Sequence, residues 1–252
     1  MARRRRYNRK RRRGSFAFLY KLLAFVLICG AIGLALAMFF KVEDIEVNGN
    51  SRYSKEQIVA AAEVKPGDNL FLLNKYDAAA RIRQQLPYVE TVQFRRVLPN
   101  RLVVQVTECR DPVAIKQDGT VYLLCNKGNI VDTVSAAKWS QYIQIEGLTL
   151  LDPQVGSKAR ASATQQMVLE RLLEILTLLE EKGMLHQVQV IDLSDASRIT
   201  MRYMSRFDVQ FLWDADFDYK LDYLEAVVDR LEDNEKGSID MTQEGKASFI
   251  PG

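Results

Sequence analysis

The stretch Val89-Glu90-Thr91-Val92-Gln93-Phe94-Arg95-Arg96-Val97-Leu98-Pro99-Asn100-Arg101-Leu102-Val103-Val104-Gln105-Val106-Thr107 decides the fold. Two β-rich arms, Val89 to Val97 and Arg101 to Thr107, flank a Pro99-Asn100 turn, which is the composition of a hairpin. In the second arm Leu102, Val104 and Val106 point one way while Val103, Gln105 and Thr107 point the other. One face of the hairpin is therefore apolar and needs a cover. The cover stands upstream. Ser54-Lys55-Glu56-Gln57 is a capping box that starts a helix, with Ile58, Val59 and Ala62 on its apolar side, and Pro66-Gly67-Asp68 ends it. A second helix, over about 75–86, keeps Ala78, Ala79, Ile82 and Leu86 together and stops at Pro87. Before both, Val42 to Val47 reads as a half-buried strand turned by Asn48-Gly49-Asn50. The order strand, helix, helix, strand, strand in about 70 residues is a compact α+β module, placed at residues 41–112.

Downstream, residues 113–242 read as a second, mixed β-sheet domain with two packed helices. Val113 to Lys116 and Val121 to Leu124 flank Asp118-Gly119, a hairpin signal, and Ile130-Val131 continues the sheet after Asn126-Lys127-Gly128. A helix over 164–182 carries Met167, Val168, Leu172, Ile175, Leu176 and Leu179 on one face. Strands are expected over 185–193, 199–203 and 207–213. Asp214, Asp216 and Asp218 lead into a last helix with the stripe Leu221, Leu224, Val228 and Leu231. Gly237 to Met241 reads as a closing strand, and residues 243–252 as a tail without regular structure.

Upstream of Lys41 the composition changes. Phe16 to Phe40 contains one charge, Lys21, and Leu22 to Phe40 contains none, which is long enough to span a bilayer core. No acidic residue precedes Glu43, whereas Arg3, Arg4, Arg5, Arg6, Arg9, Lys10, Arg11, Arg12, Arg13, Lys21 and Lys41 do. The whole 252-residue chain has 35 basic and 32 acidic residues, a net charge of +3. Removing those eleven leaves 24 basic residues against 32 acidic, so the total conceals a +11 segment attached to a −8 one. The basic run is a topology signal. It places residues 1–15 in the cytoplasm, makes 16–40 the single transmembrane helix and puts the rest outside the cell membrane. Ala35-Leu36-Ala37 resembles a signal-peptide cleavage site, but the apolar run is longer than a signal peptide needs, so an uncleaved anchor is the reading. Attraction to anionic lipids follows from the same charges, and no nucleic-acid partner is expected.

The segments Ile45 to Asn50, Leu86-Pro87-Tyr88-Val89, Phe94 to Leu102 and Glu108 to Ala114 resemble the POTRA domain of the bacterial cell division proteins FtsQ and DivIB. Ile143-Gln144-Ile145-Glu146-Gly147 and Gly237 to Met241 extend the resemblance into that family's second domain. The chain departs from it at Gln144, where proline is common, and at Trp213, where glycine is. What the resemblance implies is a non-catalytic, single-pass component of the divisome at the division septum. It would join FtsB (DivIC) and FtsL and help regulate septal peptidoglycan synthesis by FtsW and a penicillin-binding protein. The alternative is a membrane-anchored POTRA scaffold for envelope transport or assembly, the use of such modules elsewhere.

Chemistry is hard to find in the residues themselves. The serines lack a Gly-x-Ser-x-Gly setting and His186 is the one histidine. No Cys-x-x-Cys or His-Glu-x-x-His spacing offers a metal set, and isolated glycines cradle no phosphate. Asp214, Asp216 and Asp218 serve a helix start in place of Ca²⁺. No enzyme activity, cofactor or small-molecule substrate is expected. Cys109 and Cys125 could pair, but a domain of this size needs no staple, and two buried thiols are the favoured reading. Recognition then falls on sheet edges. Ser238, Ile239, Asp240, Met241 and Thr242 form the expected terminal edge strand, with no later segment to cover it and its backbone open to a partner strand. On that reading Met241→Pro weakens the complex and spares the monomer.

Overall fold

The computed structural model describes residues 16–252. The topology arginines Arg3, Arg4, Arg5, Arg6, Arg9, Arg11, Arg12 and Arg13, together with Lys10, lie outside the described residues. Lys21 sits within helix α1 (Phe16–Phe39), 24 residues long enough and apolar enough to cross a membrane.

The chain forms two compact units. The first holds α1 through Ile45, with Lys65–Leu73 and Arg96–Leu102. Directly after α1 the backbone pairs with the 67–70 turn: Leu70 N–H donates to Phe40 C=O at 2.8 Å, and Val42 N–H to Asp68 C=O at 2.7 Å. Val42, expected to open the first strand, is fully buried by this turn, and strand β1 (Asp44–Asn48) starts two residues later.

The second unit contains Glu46–Val64, Asn74–Arg95 and Val103–Gly252. Helix α2 (Lys55–Ala62) has the expected capping box, Ser54 accepting from Gln57 N–H while Gln57 reaches back to Ser54 N–H. Helix α3 (Lys75–Gln85) is capped by Asn74 and buries Ala78, Ala79 and Ile82. Strands β2 (Val89–Val97) and β3 (Arg101–Glu108) are the hairpin, and they stand with β1 in a three-stranded sheet of order β1-β3-β2. The inward residues Leu102, Val104 and Val106 are those the alternation assigns.

The remaining strands are β4 (Val113–Gln117), β5 (Thr120–Leu124), β6 (Ile130–Ser135), β7 (Ile143–Glu146), β8 (Val188–Asp192), β9 (Arg198–Tyr203), β10 (Phe207–Leu212), β11 (Gly237–Asp240) and β12 (Ser248–Pro251). They make one nine-stranded sheet in the order β12-β11-β10-β9-β8-β7-β4-β5-β6. Pairs β4/β7, β7/β8 and β10/β11 are parallel, the others antiparallel. Helices α4 (Gln166–Glu181) and α5 (Phe217–Val228) cover one face, where Leu172, Ile175, Leu176, Leu221 and Leu224 meet Ile145, Ile191, Val209 and Phe211. Gly147 follows β7 at φ +82°, and a Cβ there would stand 2.3 Å from Ser194 N, so only glycine lets the β7 exit cross so close.

The opposite face is covered at the β4-β5-β6 end by Tyr53, Tyr88, Cys109, Trp139 and Tyr142. Tyr88 lies under the Arg52 guanidinium, 3.8 Å from the ring centroid, and donates its hydroxyl to Asp132 at 3.2 Å. Burial, helped by the neighbouring Asp132 charge, pushes its phenol up to about 12. Cys109 and Cys125 belong to this cluster and are joined as a disulfide across 6.0 Å between Cα atoms. The favoured reading of two free thiols is thus corrected: the packing of this cluster brings the ends of β3 and β5, which belong to different sheets, to bonding distance whether or not the domain needs a staple. Glu90 comes within 4.8 Å of both sulfurs, but sulfurs bonded to each other are not thiolate ligands.

Glu108, the last residue of β3, gathers the loop before α2. Its carboxylate accepts from Ser51 N–H and Oγ–H, both at 2.8 Å, from Arg52 N–H at 2.7 Å and from Tyr53 N–H at 3.2 Å. Burial raises the carboxyl's pKa, but these donors outweigh it and the net displacement is downward. A depressed folded-state pKa means stability that is present above the unfolded value and is lost as pH falls through the folded one. Glu108→Gln should therefore lower stability at pH 7 by about 2 kcal/mol. The gap between variant and parent should close as both are melted at progressively more acid pH.

Candidate partner-binding edge

The five residues assigned to recognition stand at one end of the nine-stranded sheet, but not on its edge. In β11, Gly237 N–H donates to Arg206 C=O and Met241 N–H to Gln210 C=O, so the odd-numbered residues face β10. The even-numbered side is taken as well. Strand β12 pairs antiparallel with β11, Ser238 opposite Ile250 and Asp240 opposite Ser248. The expectations of an uncovered Ser238–Thr242 strand and of an unstructured 243–252 tail are both corrected: the chain turns after Thr242 and Ser248–Pro251 closes over β11.

The turn is held at three points. Thr242 N–H and Oγ–H both donate to Asp240 Oδ1, at 2.8 and 2.6 Å, which with the surrounding cations keeps that carboxyl below the usual range. Lys220, buried on α5, donates its Nζ to Gln243 C=O at 2.7 Å. Phe249 packs edge-on against Phe207, ring centroids 6.1 Å apart. Gly237 carries the local cue for this closure. A Cβ there would lie 2.1 Å from Ile250 C=O, so the glycine marks a second backbone lying against it.

The true edge is β12. Gly252 N–H donates to Lys236 C=O, and the register then turns Ser248 and Ile250 towards β11 and leaves Phe249 and Pro251 with their backbone groups facing outward. Phe249 thus offers one N–H and one C=O to a further strand. Pro251 has no N–H to offer, which limits the length of any ladder added there. The helix-free face beside this edge carries Leu212, Asp208, Gln210 and the 59% exposed Ile250.

Other singled-out residues resolve separately. Asp216 is the N-cap of α5, accepting from Tyr219 N–H at 3.2 Å, and Asp218 pairs with Lys182 at 2.7 Å, so the three aspartates do not converge. His186 lines a cleft of about 510 Å³ with Arg110, Ser140, Tyr142 and Gln144.

Comparison with known proteins bears on both halves. Residues 40–108 match the family model for the POTRA domain of FtsQ type, and residues 113–242 match that for the C-terminal part of cell division protein FtsQ/DivIB. A cell division protein DivIB of Clostridium botulinum (strain Hall) is 30% identical over 123 residues, 49% of this chain and 48% of that protein, so the match spans about half its length. The cell division protein DivIB of Clostridium tetani is 23% identical over 185 residues, 73% of this chain and 68% of that one. The cell division protein FtsQ of Geotalea daltonii is 28% identical over 201 residues, covering 79% and 70% respectively.

Proposed function

The chain belongs to the FtsQ/DivIB family of cell division proteins, and from that premise we propose a membrane-anchored, non-catalytic adaptor of the divisome. In this reading α1 spans the cell membrane with the arginine-rich terminus in the cytoplasm, and both sheets stand outside. The 41–112 and 113–242 domains present surfaces and not an active site. The partners are the small division proteins FtsB (DivIC) and FtsL, through which the chain restrains or releases septal peptidoglycan synthesis by FtsW and its penicillin-binding protein.

The observation that carries the reading is the open side of β12, a short strand at the end of a large sheet, with the Phe249 amide and carbonyl facing out. A partner strand added here gains main-chain hydrogen bonds, and Ile250 and Leu212 supply apolar contact beside it. Recognition moves from Ser238–Thr242, which forms the support, to Ser248–Pro251, which forms the docking line.

Phe249→Pro removes the outward donor from a strand that has a neighbour on one side only, a position where proline is tolerated. It should abolish co-purification of an FtsB/DivIC-type partner. Phe249→Leu, which keeps the amide, should retain the partner. Both variants are checked by thermal melting, and undiminished recovery with a folded Phe249→Pro protein refutes docking at β12. A fluorescent fusion of the full chain should form a midcell band; an even envelope signal would favour a transport scaffold instead.

A further inference from the structure

The unit that contains α1 also presents exposed apolar side chains on two loops, and their position relative to the helix says what covers them. Leu72 is 81% exposed, Leu98 54% and Phe71 47%. These loops are built, not loose. Asn69 Oδ1 accepts from Phe71 N–H at 2.8 Å and from Leu72 N–H at 3.2 Å, and the Arg96 guanidinium donates to the carbonyls of Leu70 and Leu73. Asn100 C=O accepts from Glu43 N–H at 2.9 Å, and Arg101 pairs with Asp44 at 3.1 Å. A protein that orders a turn this firmly and leaves its leucines outward has a use for them.

Their height along the helix follows from three contacts. Lys41 pairs antiparallel with Asn69, so the chain from Asp68 to Phe71 runs back towards the end of α1. The Phe71 ring meets Phe40 edge-on, centroids 5.2 Å apart. Pro99 lines a groove of about 390 Å³ together with Ile32, Ala35, Phe39 and Phe40, that is, with the last two turns of the helix.

Lengths then decide the environment. Leu22 to Phe40 is the uncharged run, and as helix it extends about 28 Å, against a hydrocarbon core of about 30 Å. With the Lys21 ammonium held at the cytoplasmic headgroups, the core measured from Leu22 reaches the level of Phe39, and a loop seated beside Ile32 to Phe39 lies within the outer leaflet.

We propose that Phe71-Leu72 and Val97-Leu98-Pro99 form a two-loop footing that inserts into the outer leaflet of the membrane beside α1. The footing rests on the reading of α1 as a membrane span. It braces the helix exit at two points, Phe71 and Pro99. Insertion is apolar: Arg96 is spent on the loop carbonyls and Arg101 on Asp44, so lipid charge matters little.

The test uses the full chain in phosphatidylcholine proteoliposomes whose acyl chains carry nitroxide quenchers. A small fluorophore is attached at native Cys29, or, in a Cys29→Ala background, at Leu72→Cys, Leu98→Cys or the exposed control Glu244→Cys. All are surface positions, and the Cys109–Cys125 disulfide is spared. Emission from residues 72 and 98 should be quenched severalfold more than from 244, approaching that from 29, and equally so in bilayers made anionic. Quenching at 29 with none at 72 and 98 overturns the footing and leaves the span intact; these loops would then await a protein partner. Loss of quenching at 29 overturns the span itself.

Discussion

Replacing both Cys109 and Cys125 by alanine should lower the stability of the large unit by about 3 kcal/mol, the cross-link entropy of a loop of this length. For a domain of this size that is a fall of roughly 6–12 °C in the melting midpoint. The bond ties the end of β3 to the end of β5 over a separation of 16 residues, and both cysteines are buried among Tyr88, Ala114, Val121, Leu123 and Val131. Alanine is the right probe, since serine would add the separate cost of an unpaired hydroxyl in that cluster. Reductant should reproduce the shift in the parent protein and leave the double variant unmoved. A parent whose midpoint ignores a strong dithiol, and matches that of the double variant, would show that the bond contributes nothing.

That bond was open in the sequence for a physical reason. Spacing sets which cysteines could meet; a Cα separation of 6.0 Å is decided by how the end of β3 packs against β5 in the cluster around Tyr88, Ala114, Leu123 and Val131. The same division runs through the molecule. Where a signal and its cause lie within one turn or one strand pair, the sequence shows it. Ser54 and Gln57 close a capping box three residues apart, Leu172, Ile175, Leu176 and Leu179 form one helical stripe, and Leu102, Val104 and Val106 alternate inward. Where the cause is remote, it does not. Glu108 binds a loop more than fifty residues upstream, and Gly237 is needed because of Ile250. β12 spans four residues, ends in proline and follows a polar turn, so nothing local marks it as a strand. The terminal edge of the large sheet was legible to within one strand: Ser238–Thr242 marks the end of the sheet, but as the support in place of the edge.

The sharpest consequence of that shift concerns Met241→Pro. With β11 as an edge strand the substitution weakens a complex and spares the monomer. In the structure it attacks the fold, because the Met241 amide faces β10 and its side chain faces the core. Met241 is fully buried in the core under α5, and its N–H donates to Gln210 C=O at 2.9 Å. Proline deletes that bond, imposes its ring on an interior position and empties the methionine's place. The cavity alone is worth about 2 to 5 kcal/mol, and the lost ladder bond about 1 kcal/mol more. Met241→Pro should therefore melt well below the parent by far-UV circular dichroism, whereas Met241→Leu should stay within about 1.5 kcal/mol of it. Loss of a division partner from Met241→Pro would then report unfolding and not docking, as would truncation at Gly237, which discards buried Ile239 and Met241 together. Should Met241→Pro melt with the parent, Met241 is not held against β10 and under α5, and the assignment of Ser238–Thr242 as an interior support falls with it.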